Sequence, residues 1–206
     1  MSLPAPLMLI SDRLSARLPL ADVAAQAFAA GCRWMLVREK DLPDKQLTAL
    51  VREIMALAKL YGAAISVSSN AHVVAACNAQ GIHLPRGGVP ALARKITGEQ
   101  MLIGVSAHSL REAQQAATNG ADYISLSPIF PSKSKPGYGP ALGLDILRHV
   151  AASIPIPVVA LGGVSDESAK LCLQAGAACV AVMGSVMRSR EPGNVIETIF
   201  SNLKPD

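Results

Sequence analysis

The sequence predicts the α/β class and, within it, a single closed (β/α)8 barrel of the TIM type. Three observations carry this. Short apolar runs alternate with longer helical patterns along the whole chain, which implies parallel strands joined by helical crossovers. Eight such units can be traced, and 206 residues is near the lower limit of about 200 that eight of them require. Half of the residues are apolar but only 3% are aromatic. The core must therefore come from Ala, Val, Leu and Ile, the composition of helices laid on a parallel sheet. An open flavodoxin-like sheet is the alternative, and it would have surplus strands to dispose of. No linker or low-complexity stretch interrupts residues 1–206, so one compact domain is expected.

The units follow in order. Residues 6–10 form an apolar strand, and the alanine-rich stretch 20–30 is helical, with Gly31 as its stop. Strand two covers 34–37. The helix over 44–61 places Leu47, Leu50, Val51, Ile54, Leu57 and Leu60 at helical spacing before Gly62. Strand three (63–67) leads to a short helix over 71–80, and strand four (82–84) to a helical turn over 90–96. Strand five (101–105) precedes a helix over 110–118, stopped by Gly120. Strand six (122–126) opens a long connection through 143, rich in proline, glycine, serine and lysine, before a helix over 144–152. Strand seven (157–161) ends at Gly162-Gly163, and Ser165 is placed to cap the following helix, with Asp166 and Glu167 in its first turn. Strand eight (179–183) runs into Gly184-Ser185, and a helix over 195–203 closes the chain.

Composition excludes several classes. No apolar run approaches the roughly 18 residues of a membrane span. The opening Met-Ser-Leu-Pro-Ala-Pro has no charged segment followed by an apolar one, so a cytoplasmic protein is expected. The four cysteines form no Cys-x-x-Cys pair, so neither a zinc nor a redox motif is predicted. Cys32 alone has a basic neighbour, Arg33, and it lies before a strand, at the wrong end for a site. The net charge of +4 is modest and its cations are dispersed, which argues against nucleic acid and for a small anionic ligand.

In such barrels the chemistry sits on the loops that follow the strands. Those ends carry Arg38 and Lys40, Ser68 and Ser69, Arg86, Ser106 and His108, the long loop, Gly162-Gly163 and Met183-Gly184-Ser185. Cations, hydroxyls and glycines dominate, which is the chemistry of a phosphate site. Loops seven and eight are the usual phosphate location in this fold, with free amides at the Gly184-Ser185 turn. Side-chain alternation puts Leu36, Arg38 and Lys40 on one face, so the two cations converge on the mouth and call for an anion such as a diphosphate. The alternative is that an acid such as Glu39 neutralises them. In the long loop, Ser132 and Ser134 alternate with Lys133 and Lys135.

Five segments together resemble the thiamine phosphate synthase/TenI family. They are Arg38-Glu39-Lys40-Asp41, Gly104-Val105-Ser106-Ala107-His108-Ser109, Gly120-Ala121-Asp122-Tyr123, Ser127-Pro128-Ile129-Phe130-Pro131 and Pro157-Val158-Val159-Ala160-Leu161-Gly162-Gly163-Val164. The resemblance runs from Ser11-Asp12-Arg13 to Met183-Gly184-Ser185. It implies diphosphate binding by Arg38 and Lys40, with Ser106, Ser132, Ser134 and Lys135 as further ligands. It implies a thiazole-phosphate site at Gly162, Gly163 and Met183-Gly184-Ser185.

The departures from the family matter as much. The synthases carry a glutamine at the position of Leu36, Asn-Asp at Ser68-Ser69, and a metal-binding Asp in the loop that here reads Pro85-Arg86-Gly87-Gly88. No metal or other cofactor is therefore expected; magnesium belongs to the synthase reading alone. The TenI branch isomerises a thiazole carboxylate phosphate without metal, yet its acid/base histidine falls at Pro128. The candidates left to carry a proton are His108, His83 and Glu39. The leading expectation is a TenI-like, metal-independent protein that binds thiazole phosphate. The alternatives are a synthase joining a pyrimidine diphosphate to thiazole phosphate, and a non-catalytic binding or regulatory protein. The expected partner is a small phosphorylated substrate, with neither nucleic acid nor membrane; a homo-oligomer is compatible with the sequence.

Overall fold

The computed structural model describes residues 2–131 and 139–203. Its elements alternate from end to end. They run β1 (Leu7–Ile10), α1 (Leu20–Ala29), β2 (Trp34–Val37), α2 (Asp44–Tyr61), β3 (Ala64–Ser68), α3 (Ala71–Cys77), β4 (Gly81–Leu84) and α4 (Pro90–Thr97). Then come β5 (Leu102–Ala107), α5 (Leu110–Thr118), β6 (Tyr123–Leu126), α6 (Gly143–Ser153), β7 (Val158–Leu161), α7 (Asp166–Gln174), β8 (Cys179–Val182), α8 (Gly184–Met187) and α9 (Pro192–Leu203). Neighbouring strands pair in parallel and β8 returns to β1, so the sheet closes in the order β1 to β8. This is the (β/α)8 barrel that the alternation predicts, and the open-sheet alternative is excluded.

Strand parity creates two cores. Residues such as Leu9, Met35, Ile65, Ile103 and Val180 face outward against helix residues that include Val23, Phe28, Val51, Ile54 and Leu147. The other parity fills the barrel itself with Met8, Ile10, Trp34, Leu36, Tyr123, Val159, Cys179 and Ala181. Few aromatics are needed because two of them, Trp34 and Tyr123, occupy the interior edge to face, 5.2 Å apart. Gly104 lies opposite Tyr123 in the register and leaves the space that the tyrosine ring takes.

Local chemistry sets the element ends. Ser165 caps α7 by accepting from Ser168 N–H at 3.3 Å, and Ser168 Oγ accepts in return from Ser165 N–H at 2.9 Å. Gly62 ends α2 in the left-handed region. Element bounds shift by a residue or more in several places, and three of the shifts have a clear local cause. α3 stops at Cys77 because Asn78 adopts the left-handed cap. α4 is a full helix started by Pro90, not a turn. β5 reaches Ala107, because pairing with β6 continues through Ser106↔Ser125 and Ala107↔Leu126.

All four cysteines are buried. Burial pushes the Cys32 thiol up to about 11, against the smaller opposing pull of its hydrogen bonds and of Arg33. The neighbouring cation therefore does not make it a nucleophile.

Candidate active site

A cavity of about 1170 Å3 opens at the C-terminal ends of the strands. Arg38 and Lys40 reach it from the loop after β2, Ser106 from β5, and Gly162 and Gly163 from the loop after β7. Met183, Gly184 and Ser185 reach it from the end of β8 and the short α8. His83 and His108 line it as well. The topology thus gathers into one space residues carried by strand ends from β2 to β8. Ser132, Ser134 and Lys135 lie outside the described residues.

The lining carries both apolar and hydroxyl side chains. Met8, Ile10, Leu36, Leu161 and Ala181 line one side. On the other, His83 is the hub. Its Nδ1 shares a hydrogen bond with Tyr123 Oη at 3.1 Å, and its Nε2 meets Ser106 Oγ at 3.0 Å and Ser125 Oγ at 3.1 Å. Burial lowers the His83 pKa to about 4, with Arg38 adding to the effect. The imidazole is therefore neutral near pH 7. His108 sits higher. Its Nδ1 is 2.6 Å from the Ser127 carbonyl. A carbonyl accepts only, so Nδ1 carries a proton and donates it.

Glu39 is placed differently from its neighbours. It is 5% exposed and absent from the cavity lining. Its carboxylate accepts from Ser11 Oγ at 2.5 Å and approaches Arg13, behind the wall. Among the described residues, Arg38 and Lys40 have no ion-pair partner, so Glu39 does not neutralise them. Arg86 lines the mouth and stands 3.7 Å from Glu112 Oε1. Glu112 Oε2 also accepts from the His108 backbone N–H at 2.8 Å, which ties loops four and five together.

Gly162 and Gly163 have a tighter cause than an approaching anion. Both have positive φ, at 93° and 66°. A Cβ on Gly162 would lie 2.8 Å from Pro128 Cα, and one on Gly163 would lie 2.5 Å from the Pro131 carbonyl oxygen. The start of the long loop is laid directly on this turn, with Phe130 N–H donating to Gly162 O at 2.9 Å. Sequence reasoning passed over Ser125, Ser127, Leu161, Asp166 and Arg188, which also line the cavity. Parity would have found two of them: Ser125 is two residues after the inward Tyr123, and Leu161 two after Val159.

A parallel (β/α)8 barrel with a cation-bearing cavity at its C-terminal mouth defines the class: a barrel protein built to take a small ligand at that end. A family profile described as thiamine monophosphate synthase (TMP-TENI) matches residues 7–186. The chain belongs to this family. A Geobacter sulfurreducens relative is 37% identical over 201 residues, covering 97% of this chain and 94% of its own. The thiamine-phosphate synthase of Moorella thermoacetica is 35% identical over 181 residues, 87% of this chain and 86% of that protein. Among solved structures, the thiamine phosphate pyrophosphorylase from Pyrococcus furiosus superposes with a TM-score of 0.86 at 28% identity, covering 96% of this chain and 94% of the other.

Proposed function

We propose that this chain is a thiamine-biosynthesis enzyme that binds a thiazole phosphate at the barrel mouth and works without a metal. One observation carries the metal-independent part. Arg38 and Lys40 enter the cavity without a carboxylate partner among the described residues, while the loops after β3 and β4 bring no carboxylate to it. At those places stand Ser68 and Ser69, whose hydroxyls are 3.4 Å apart, and Arg86. Neutral hydroxyls and a guanidinium are a poor donor set for magnesium, which prefers carboxylate oxygens. Positive side chains take over the neutralisation of phosphate instead.

On this reading the apolar wall of Met8, Ile10, Leu36 and Leu161 packs a flat heterocycle, and Ser106 and Ser125 present hydroxyls to its edge. Gly162, Gly163 and the Met183-Gly184-Ser185 turn receive the thiazole phosphate. His108 is the candidate proton carrier, because both ring nitrogens of His83 are engaged by Tyr123, Ser106 and Ser125 and Glu39 stands behind the wall. The test is a calorimetric titration with thiazole phosphate and, separately, with the pyrimidine diphosphate, each with magnesium and with chelator. Thiazole phosphate should bind equally well in both conditions. Rapid formation of thiamine phosphate with magnesium, lost on chelation, would refute the metal-independent assignment.

The names of the relatives favour a second reading, in which the chain joins the two substrates and releases pyrophosphate. Arg38 would then hold the diphosphate. Arg38→Ala should abolish pyrophosphate release, and an unchanged rate would remove that reading.

A further inference from the structure

Glu39 lies between two cavity cations yet turns away from the cavity. Its surroundings show what it does there. The carboxylate accepts from Ser11 Oγ at 2.5 Å and from the Arg13 backbone N–H at 3.1 and 3.2 Å. Arg13 Nε stands 3.8 Å from Oε2, and the other arm of Arg13 pairs with Asp41. Ser11 is itself fully buried, and its Oγ accepts from the Arg38 backbone N–H at 2.8 Å.

A serine hydroxyl has one proton to give. The Arg38 N–H must donate to it, so the serine proton must go to Glu39. An ionised carboxylate only accepts, and it therefore fixes the direction of the whole relay: Arg38 N–H to Ser11, Ser11 O–H to Glu39. Each bond joins the loop after β1 to the loop after β2. The Arg13–Asp41 pair repeats the link one step further along both loops.

We propose that Ser11 and Glu39 form a clamp behind the cavity wall that sets the position of the Arg38–Lys40 segment toward a phosphate or diphosphate. Glu39 is then a positioning residue, not a proton carrier. The clamp rests on the anion-binding reading of Arg38 and Lys40 given above.

The test uses Ser11→Ala, Glu39→Ala and Glu39→Gln in the full chain, with inorganic pyrophosphate as the probe and amide hydrogen exchange at Arg38 as an independent readout. Glu39→Ala should weaken pyrophosphate binding about tenfold and speed exchange of the Arg38 amide by a similar factor. Glu39→Gln keeps an oxygen that can accept from Ser11 and Arg13, so it should hold exchange near the wild-type rate and affinity within about threefold. Should Glu39→Ala not fold, Ser11→Ala removes the relay hydroxyl alone and carries the same expectations as Glu39→Ala. A folded Glu39→Ala protein with wild-type exchange at Arg38 overturns the clamp. A wild-type protein that does not bind pyrophosphate overturns the anion reading, and exchange at Arg38 still decides the clamp.

Discussion

Gly104→Ala is the substitution that most directly tests how the barrel interior is built. Gly104 on β5 pairs with Tyr123 on β6. An added Cβ would stand 2.1 Å from Tyr123 Cζ and 2.5 Å from both Cε atoms, where about 3.5 Å is the closest comfortable carbon contact. The ring cannot step aside, because it is fully buried and set edge-on to Trp34. Overpacking of this kind costs about 1–3 kcal/mol. Moving the ring also breaks the Tyr123–His83 bond of 3.1 Å and strands a buried polar atom, for about 1–3 kcal/mol more. A total near 4 kcal/mol lowers the melting midpoint of a chain this size by about 12 °C. Urea and thermal unfolding, followed by the fluorescence of the single tryptophan Trp34, measure it. Tyr123→Phe separates the two contributions. It already lacks the bond to His83, so the double variant should cost less than the sum of the singles. A Gly104→Ala protein within about 1 kcal/mol of wild type, or strictly additive costs, would refute the reasoning.

Two more predictions follow from groups at opposite ends of the barrel. His83 has its pKa lowered from 6.5 to about 4 by burial. The unfolded chain therefore takes up a proton near pH 6.5 that the folded chain refuses until near pH 4. Stability should fall through that window as the pH drops, by roughly 3 kcal/mol in all. Glu39, raised by burial, acts in the opposite sense: its contribution is present below the ordinary carboxylate value and is lost as the pH rises through its raised one. The comparison is therefore with His83→Gln, where Glu39 contributes equally; urea midpoints from pH 4 to 7 should flatten in that variant, and an unchanged slope would contradict the assignment. At the other end, Asp122 pairs with Arg94 at 2.9 and 2.8 Å and accepts from Ile103 N–H at 2.7 Å. Asp122→Ala should cost about 2–3 kcal/mol, reduced from the fully buried case by partial exposure. It should leave pyrophosphate affinity within about twofold, since binding belongs to the opposite face; a larger loss of affinity would mean that the two ends are coupled.

Much of the fold could be read from the sequence because each unit buries its own apolar pattern locally. The outward parity of Leu9, Met35 and Ile65 and the helical spacing of Val51 and Ile54 are both local signals. The interior is another matter. That Gly104 exists for Tyr123 depends on register between two strands, which no stretch of sequence states. The gathering of Arg38, Lys40, Ser106 and Met183-Gly184-Ser185 around one cavity was legible, because closing eight parallel strands brings all their C-terminal ends together. The reason for Gly162 and Gly163 was not. Their nearest neighbours are Pro128 and the Pro131 carbonyl, on the preceding loop, and a close approach between neighbouring loops leaves no periodic trace.

Parity also decides how much chemistry the site can be asked to do. In Arg38-Glu39-Lys40 the two cations face the cavity and the acid faces the β1 loop, so the most reactive-looking residue of the motif is spent on holding the other two. His83 is surrounded by Tyr123, Ser106 and Ser125 and kept neutral by burial. Among the described residues, that leaves Asp166 as the one carboxylate in a lining that holds Arg38, Lys40, Arg86 and Arg188. Asp166 sits in the first turn of α7. An electrostatic balance of this kind is suited to neutralising phosphate. His108 lines the same cavity, with its Nδ1 engaged by the Ser127 carbonyl. On the proposed reading, acid/base chemistry in this cavity is to be sought at His108, whose imidazole is anchored on the residue that precedes Pro128.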